Sequence, residues 1–314
     1  SPSMRILVTG GCGYIGSALV PHLLANNHQV VVLDQQWFGN GYLPENKHLT
    51  VIKDDIRNLP ILCQALKGCN TVIHLAGMTN DNECRKDPLE AASINLEAFE
   101  PLLRLSCNFG VKRFIFLSSA AAYGNSDQPL TEDTPLKPTT PYGQYKAGCE
   151  EILRTSKSKL KWFILRPAGV CGHAPRMRFD LTVNGMTLDA VRSGAIHIHG
   201  GEQVRPHVHI RDLIEVILRL LTAKIDPDIF NVVHANQRVT DTGKTVARIT
   251  GAKVVVEPRQ DDRSYWVNGT KLARTLSIIP KRTVALAIGE IANKLDYGYF
   301  PDVLENPVYK NAKA

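Results

Sequence analysis

The chain has 314 residues, of which 44% are hydrophobic and 21% charged, so it is long enough for two hydrophobic cores or for one large α/β domain with a smaller lobe. Lys and Arg number 37 against 30 Asp and Glu, and the resulting charge of +7 is spread along the sequence without a basic block. This mild basic excess suits an anionic substrate, whereas nucleic acid is not indicated as a partner.

Cysteine usage and the lengths of the apolar runs predict the compartment. The seven cysteines form no CxxC pair and their number is odd, which is typical of reduced thiols in the cytoplasm. No apolar run reaches the ~18 residues of a transmembrane span, and no leader pattern precedes the first predicted strand. We therefore expect a cytoplasmic protein with no membrane partner.

Three glycines spaced three apart follow an apolar strand, Arg5 to Val8, and open a helix predicted from Tyr14 to Ala25. Gly10 permits a tight turn, Gly13 lets the backbone approach phosphates, and Gly16 allows the helix to pack closely on the strand. The helix N-terminus adds free N–H groups and the positive end of a dipole. This loop predicts a site for the pyrophosphate of a dinucleotide.

The next predicted strand, Val30 to Leu33, ends at Asp34, about 20 residues after the glycines. A carboxylate at this position bonds a ribose 2′-hydroxyl and repels a 2′-phosphate. No Arg or Lys follows it immediately. The sequence therefore favours NAD over NADP as the cofactor.

Apolar strands continue to alternate with helical patterns, which predicts an α/β fold with a Rossmann-type, doubly wound parallel sheet. Ligands of such sheets bind beyond the carboxyl ends of the strands. The predicted strands are Ile6 to Val8, Val30 to Leu33, Thr50 to Lys53, Thr71 to Leu75, Arg113 to Leu117 and Lys161 to Leu165.

After about Gly169 the pattern loosens into loops that contain Pro and Gly. We predict an NAD-binding Rossmann domain over 1–170 and a smaller, mostly substrate-binding C-terminal lobe over 171–314, with about 207–235 packing back on the first domain. The helices predicted in this second part are Thr182 to Ser193, Arg211 to Thr222, Thr240 to Thr250 and Thr283 to Leu295.

A tyrosine and a lysine share one face of the helix that Thr140 and Pro141 open, as N-cap and first helical residue. Tyr142 and Lys146 are four residues apart, so the ammonium can lie beside the phenol and stabilise its phenolate. A tyrosine in this setting is a usable general base. Tyr145 has no such cation and is interpreted as packing.

Several motifs occur together along the chain. They are the glycine loop, Asp34, Asp55-Ile56, His74-Leu75-Ala76-Gly77, Ser118-Ser119 with Tyr123-Gly124, Tyr142 with Lys146, Arg166-Pro167, and the run from Arg205 to Leu213. Their combination resembles the extended short-chain dehydrogenases/reductases, that is, the NAD-dependent sugar epimerase/dehydratase family. The resemblance covers nearly the whole chain.

The resemblance implies roles for residues around NAD. The N–H groups of Tyr14 and Ile15 would bind the pyrophosphate, Asp55 and Ile56 would flank the adenine, and Lys146 would hold the nicotinamide ribose. The full set of predicted cofactor-binding residues is Gly10, Gly13, Tyr14, Ile15, Gly16, Asp34, Asp55, Ile56, Leu75, Ala76, Gly77, Asn95, Ser118, Tyr142, Lys146 and Pro167.

The resemblance also implies the catalytic and substrate-binding residues. Ser119, Tyr142 and Lys146 would be catalytic, with Tyr142 as the base and Ser119 hydrogen-bonded to the substrate oxygen. Arg205 would make bidentate bonds to the diphosphate of a nucleotide sugar, and Asn184 would contact its diphosphate or nucleoside. The predicted substrate-binding set is Thr79, Ser119, Ala120, Tyr142, Asn184 and Arg205.

The implied reaction starts with removal of a hydroxyl proton by Tyr142 at C4 of a hexose, with hydride transfer to NAD and formation of a keto sugar. Dehydratases of the family carry an Asp-Glu pair after the catalytic Ser/Thr, where this chain has Ala120 and Ala121. A nucleotide-sugar 4-epimerase is therefore expected, and a 4-dehydrogenase or reductase is the main alternative. The intact catalytic set argues against a non-catalytic dinucleotide-binding module. The nucleotide base and the sugar stay open, since Gly169 replaces an asparagine common in sugar epimerases.

Two predicted helical stretches, Leu89 to Asn108 and Tyr142 to Thr155, carry more apolar positions than one core can use. In the family that the chain resembles, these helices pair in a four-helix bundle between two copies. We therefore expect a homodimer.

Two features allow alternative interpretations. His197 with His199 and His207 with His209 alternate around a Gly-Gly turn, but no Cys, Asp or Glu lies at ligand spacing, so exposed hairpin histidines are favoured and no metal site is predicted. Tyr123 either contacts the substrate or packs in the core.

Overall fold

The computed structural model describes residues 3–39, 41–260 and 263–312. Its strands are β1 Arg5–Thr9, β2 Gln29–Asp34, β3 Leu49–Lys53, β4 Thr71–His74, β5 Arg113–Leu117, β6 Lys161–Pro167, β7 Gly169–Cys171, β8 Ala195–His199, β9 Val204–His209, β10 Asp228–Val232, β11 Ala235–Arg238 and β12 Lys253–Glu257. Its α-helices are α1 Tyr14–Ala25, α2 Leu59–Leu66, α3 Asp81–Lys86, α4 Pro88–Ala92, α5 Phe99–Asn108, α6 Pro141–Arg154, α7 Thr182–Ser193, α8 Ile210–Leu220, α9 Val239–Thr250, α10 Thr270–Leu276 and α11 Val284–Asp296.

Seven of the described strands form one sheet in the order β10-β6-β5-β4-β1-β2-β3, and every neighbouring pair is parallel. All six strands predicted from the sequence belong to it, and β10 joins at one edge. The predicted α/β class with a Rossmann-type, doubly wound parallel sheet is thus confirmed. Because β1 lies between β2 and β4, the strand order reverses there, and a crevice for ligands opens at the carboxyl ends of β1 and β4.

The sheet is covered on both faces, and alternate residues of a strand enter different cores. In β1, Ile6 and Val8 pack in the cluster that contains α1 and α8, whereas Leu7 packs in the cluster that contains α2, α5 and α6. All three side chains are fully buried. This explains why the strands read as continuous apolar runs rather than as alternating patterns.

Residues beyond β6 form smaller sheets, β11-β9-β7 and β12-β8, and α7, α9 and α11 pack together around Val183, Val246 and Ile288. Within the segment 207–235, α8 lies in the same core cluster as α1 and β10 pairs with β6, which supports the predicted packing of this segment without testing it. The division at residue 170 stays a prediction. Residues 1–2 and 313–314, at the outer ends of the two predicted lobes, lie outside the described residues.

The two histidine pairs do not form a hairpin. β8, with His197 and His199, pairs with β12, whereas β9, with His207 and His209, pairs with β7 and β11. His197 and His199 are partly exposed beside Glu257, but His207 and His209 are buried. The predicted hairpin is therefore wrong, because the left-handed Gly-Gly turn sends the chain into a different sheet, and the predicted exposure is wrong for His207 and His209.

The helix predicted from Leu89 to Asn108 is interrupted. Between α4 and α5 the chain makes a π-helical turn, Ser93–Glu97, and such turns insert an extra residue and often occur next to functional sites. Most other predicted helix ends agree with the observed ones to within two residues. Within the described ranges, no helix is long and apolar enough to cross a membrane.

Candidate active site

A cleft opens at the carboxyl ends of β1, β2, β4 and β5 and is closed on its other side by loops of the C-terminal half. It brings together most of the residues predicted to bind cofactor and substrate. Those lining it are Gly10, Gly13, Tyr14, Ile15, Gly16, Asp34, Ile56, Leu75, Ala76, Gly77, Thr79, Ser118, Ser119, Ala120, Tyr142, Lys146 and Pro167. Four predicted residues, all described by the structure, lie outside this lining: Asp55, Asn95, Asn184 and Arg205.

The glycine loop has the shape that a pyrophosphate requires. Gly10 has a φ of +70°, and a Cβ there would lie 2.7 Å from the backbone of Ala76. A Cβ on Gly16 would lie 2.5 Å from the backbone of Gly11. Gly13, the N-cap of α1, offers no side-chain cap, so the first N–H groups of the helix face the cleft without a side-chain acceptor. The loop therefore fits a phosphate group, which would accept these hydrogen bonds.

Asp34 is held at the end of β2 by two backbone donors. Its Oδ2 accepts the N–H of Cys12 at 3.0 Å and its Oδ1 accepts the N–H of Gln36 at 2.6 Å. Burial raises the pKa of Asp34, and the two backbone hydrogen bonds oppose this. Each carboxylate oxygen keeps a further lone pair, so the side chain can also accept from ribose hydroxyls. Burial, then the charge of Asp34, raises the pKa of the Cys12 thiol to about 12.

Tyr142 and Lys146 meet on α6 as the sequence predicts. Thr140 caps this helix, since its Oγ1 accepts the N–H of Gly143 at 3.1 Å. The Nζ of Lys146 donates to the carbonyl oxygen of Leu117 at 2.8 Å and lies 5.4 Å from the centre of the Tyr142 ring. Because Lys146 is only 8% exposed, its charge acts on the phenol with little screening by water.

Ser119 begins a 3-10 turn, Ala120–Ala122, at the end of β5. Its Oγ accepts the N–H of Ala121 at 3.0 Å, so the hydroxyl proton is available to a ligand. A Cβ on Gly143 would lie 2.5 Å from the carbonyl oxygen of Ala121, which shows how closely α6 approaches this turn. That close approach places the hydroxyls of Ser119 and Tyr142 on the same cleft.

A buried polar network lies behind the residues that the sequence predicts to be catalytic. Ser118 donates to Oε2 of Glu150 at 2.6 Å, and Glu150 pairs with Arg166 at 2.6 Å, with side-chain exposures of 0% and 3%. Arg166 donates to the Tyr123 hydroxyl at 2.9 Å, and that hydroxyl donates to Asn231 at 2.6 Å. Burial raises the pKa of Tyr123. Of the two interpretations of Tyr123, packing in the core is correct.

Of the two adjacent acidic residues after β3, Asp54 lines the cleft and Asp55 does not. The carboxylate of Asp55 is bound by Arg57, with Nη2 at 2.5 Å from Oδ2, and Arg57 also pairs with Glu90 at 2.9 Å. The ion pair with Arg57 holds the carboxylate of Asp55 outside the cleft lining, and its contact with adenine stays a prediction. Two adjacent acidic residues after a strand give no local signal to tell which one faces the ligand.

Asn184 is fully buried, and both polar atoms of its amide hydrogen-bond to protein groups. Its Oδ1 accepts the N–H of Gly172 at 3.1 Å, and its Nδ2 donates to the Tyr14 hydroxyl at 3.2 Å and to the carbonyl oxygen of Arg178 at 3.0 Å. Asn184 lies outside the described cleft lining, and its contact with the substrate stays a prediction. In this structure Asn184 fixes the loop between β7 and α7, which reaches the cleft through Arg176 and Arg178.

Asn95 and Arg205 also lie outside the described cleft lining and hydrogen-bond to residues of the surrounding loops. Asn95, in the π-helical turn, accepts the N–H of Met78 at 2.7 Å and donates to the Met78 carbonyl at 2.9 Å, so it holds the loop after β4. Arg205 donates through Nε to the carbonyl oxygen of Arg263 at 2.7 Å, and Arg263 rather than Arg205 lines the cleft. The predicted contacts of Asn95 with the cofactor and of Arg205 with the substrate stay predictions.

Other residues of the cleft were missed from the sequence. Some follow directly after strand ends and could have been found by position, such as Trp37 and Phe38 after β2. Others come from loops and the C-terminal segment, and neither spacing nor periodicity pointed to them: Arg176, Arg178, Leu181, Arg263, Tyr265 and Asn311.

Known proteins share this sequence pattern and this fold. The sequence model of the NAD dependent epimerase/dehydratase family matches residues 6–232. A relative from Lacticaseibacillus casei, named UDP-glucose 4-epimerase, is 31% identical over 305 residues, which are 87% of this chain and 90% of the relative.

Two solved structures are similar over nearly their whole length. The UDP-glucose 4-epimerase of Thermotoga maritima with UDP-glucose has a TM-score of 0.86 and 29% identity, and covers 96% of this chain and 100% of that chain. The UDP-glucose 4-epimerase of Thermus thermophilus in complex with NAD has a TM-score of 0.82 and 26% identity, and covers 93% and 99%. The family match includes the glycine loop, Asp34, Ser119, Tyr142 and Lys146, which the structure gathers at one cleft. This chain therefore belongs to the NAD-dependent epimerase/dehydratase family, and its cofactor is NAD.

Proposed function

We propose that the chain inverts the configuration at C4 of a nucleotide-activated hexose, with NAD as a cofactor that is regenerated in each cycle. The observation that carries the proposal is the cleft around Ser119, where Tyr142 and Lys146 are present and the two following positions, Ala120 and Ala121, hold no carboxylate. The relatives named UDP-glucose 4-epimerase support the same activity and make a UDP-hexose the first substrate to test.

The side chains perform the proton chemistry. Tyr142 takes the proton of the C4 hydroxyl, and the Lys146 charge beside its ring stabilises the phenolate that precedes this step. Ser119 donates its hydroxyl proton to the substrate oxygen and so holds it in place. NAD supplies the hydride acceptor and, later, the hydride donor. Tyr142 then returns the proton to the oxygen of the reduced sugar.

Inversion requires the keto sugar to present its opposite face before it is reduced. Small residues line the cleft around Ser119, namely Ala120, Ala121 and Gly169, and they leave space for this rotation. A dehydrogenase or reductase needs no such space, but it needs NAD to exchange in every cycle. The two activities are thus separated by their dependence on added cofactor.

Proton NMR of the protein as purified, incubated with UDP-glucose, UDP-galactose and other nucleotide sugars without added NAD, tests this function. We expect new anomeric signals from the C4 epimer while the absorbance at 340 nm stays constant. Turnover only with added NAD or NADH, with a stoichiometric change at 340 nm, would show a dehydrogenase or reductase instead. A 4-keto-6-deoxy product would show a dehydratase.

We propose a homodimer joined through a four-helix bundle formed by the α4–α5 region and α6. Leu89 at the start of this region is 86% exposed, and Leu96, Leu105 and Ile152 are only partly buried. We expect Leu89→Glu to shift the chain from dimer to monomer in size-exclusion chromatography with light scattering, because it places a charge in an apolar interface. Ile279→Glu, at a site 73% exposed outside this region, serves as control. A monomeric wild-type chain would contradict the proposal.

We propose a cytoplasmic location, with a nucleotide sugar as the partner and with neither nucleic acid nor a membrane. All seven cysteines lie within the described ranges and are free thiols. Burial raises the pKa of Cys84, Cys149 and Cys171, so these thiols stay protonated and resist oxidation.

A further inference from the structure

A buried arginine lines the cleft from the loop between β7 and α7. Arg176 is 1% exposed, its Nη2 donates to the carbonyl oxygen of Val308 at 2.9 Å, and its Nη1 donates to Oδ1 of Asn311. The guanidinium also lies 4.7 Å from the centre of the Phe38 ring. Its Nε is buried and has no hydrogen-bond partner among the described residues. The Nε–H of this guanidinium is therefore a buried donor that a ligand in the cleft could use.

The charge of Arg176 is only partly compensated, because the carboxylates of Asp180 and Asp34 act on it without forming an ion pair. No carboxylate within the described ranges forms an ion pair with it, although its neighbour Arg178 pairs with Asp180 at 2.6 Å. Burial, then the charge of Arg178, lowers the pKa of Arg176 to about 10. Burying a cation without a counter-ion is unfavourable. An anionic group of a bound ligand would supply both the missing charge and the missing acceptor.

The position of Arg176 indicates which anionic group of a ligand it would bind. Its backbone N–H donates to Oγ of Ser17 at 3.1 Å, in the first turns of the helix that the glycine loop opens. Phe38, on which the guanidinium stacks, follows Asp34 by four residues, and Asp34 is the predicted ribose acceptor. Arg176 thus contacts both segments that bracket the pyrophosphate and adenosine ribose of NAD. Ser119 and Tyr142 belong to other segments, at the ends of β5 and α6.

We propose that Arg176 binds the pyrophosphate of NAD from the C-terminal half of the chain, so that the cofactor is held between the glycine loop and this guanidinium. The proposal rests on the dinucleotide site described above and does not depend on which sugar is converted. A guanidinium hydrogen-bonded to a phosphate is a strong, charge-assisted contact.

The C-terminal segment positions this arginine. Asn311 receives one Nη1 bond from Arg176 and donates to Oγ1 of Thr79 at 2.8 Å, and Asn80 donates to the carbonyl oxygen of Lys310 at 2.8 Å. The segment therefore joins Arg176 to the loop after β4. Asn311 has a φ of 53°, a left-handed conformation that asparagine tolerates better than most residues. Asn311 acts as a positioning residue, whereas Arg176 contacts the cofactor.

Affinity measurements on Arg176→Met test the proposal, with Arg192→Met on the exposed face of α7 as matched control. We expect the Kd for NAD, measured by calorimetry on cofactor-depleted protein, to rise roughly 10- to 100-fold for Arg176→Met. The NAD retained through gel filtration should fall in parallel. The Kd for UDP should stay unchanged, Arg176→Lys should recover part of the NAD affinity, and Asn311→Ala should show a smaller loss.

Other outcomes would overturn the proposal. Weakened UDP binding with unchanged NAD binding would assign Arg176 to the diphosphate of the substrate, and unchanged binding of both would make it a structural residue. Thermal unfolding of each variant, together with Arg176→Lys, separates a folding defect from a lost contact. Because neither affinity requires turnover, a chain that needs Arg176 for NAD but does not epimerise sugars would contradict only the proposed function.

Discussion

We expect Tyr142→Phe to lower the kcat of epimerisation about 10³-fold, the range typical of a lost general base. The substitution removes the oxygen that takes the C4 proton and leaves the ring in place beside Lys146, whose Nζ remains bound to the carbonyl oxygen of Leu117. The NAD content of the purified variant should equal that of the wild type. Initial rates by NMR and acid extraction of the bound cofactor measure the two quantities.

Tyr145→Phe is the matched control, because it removes a phenolic oxygen from the same helix. Tyr145 packs on a small apolar cluster with Met78, Cys84 and Ile94, and it is not part of the cleft lining among the described residues. Its replacement should leave kcat near the wild-type value. A Tyr142→Phe variant that retains wild-type kcat, or a Tyr145→Phe variant that loses it, would remove Tyr142 as the base.

The largest effect on stability is expected for Arg166→Met, which should lower the free energy of unfolding by about 3–5 kcal/mol. The substitution leaves the fully buried carboxylate of Glu150 without its cation and removes a donor from the Tyr123 hydroxyl. Urea unfolding measures the change as a lower midpoint at an unchanged slope. Activity should fall as well, because Glu150 also accepts the hydroxyl proton of Ser118, the residue before Ser119.

An exposed ion pair provides the control for this variant. Arg104 and Glu100 pair at 2.8 Å on the surface of α5, with side-chain exposures of 50% and 55%. Arg104→Met should cost less than about 1 kcal/mol. In Arg166→Met, an additional Glu150→Met substitution should restore part of the stability, since it removes the unpaired charge. Equal losses from the buried and the exposed pair would contradict this account.

Local requirements explain why much of this protein could be predicted from its sequence. The glycine loop is recognisable because only glycine fits where a Cβ would meet the backbone of Ala76 or Gly11. Tyr142 and Lys146 lie close together because they are four residues apart on one helix. Thr140 caps that helix by accepting a hydrogen bond from the N–H of Gly143, three residues later. The parallel strands are recognisable as continuous apolar runs, because both faces of the sheet are buried. Each of these signals lies within a few residues of sequence.

Only the tertiary structure decided the contacts between distant segments. Asn184 and Tyr123 have polar groups that could serve a ligand, but packing supplied them with partners such as Tyr14 and Arg166 far along the chain, and this removed them from the cleft. Arg176 and Asn311, by contrast, line the cleft because the C-terminal segment folds across the loop after β7 and brings them together there. The sequence by itself thus determined the sheet, the glycine loop and the pairing of Tyr142 with Lys146, because backbone geometry and helix periodicity act over short distances. The folded chain decided which other polar side chains face the ligand, because a polar side chain that hydrogen-bonds to a distant part of the protein no longer offers that group to a ligand.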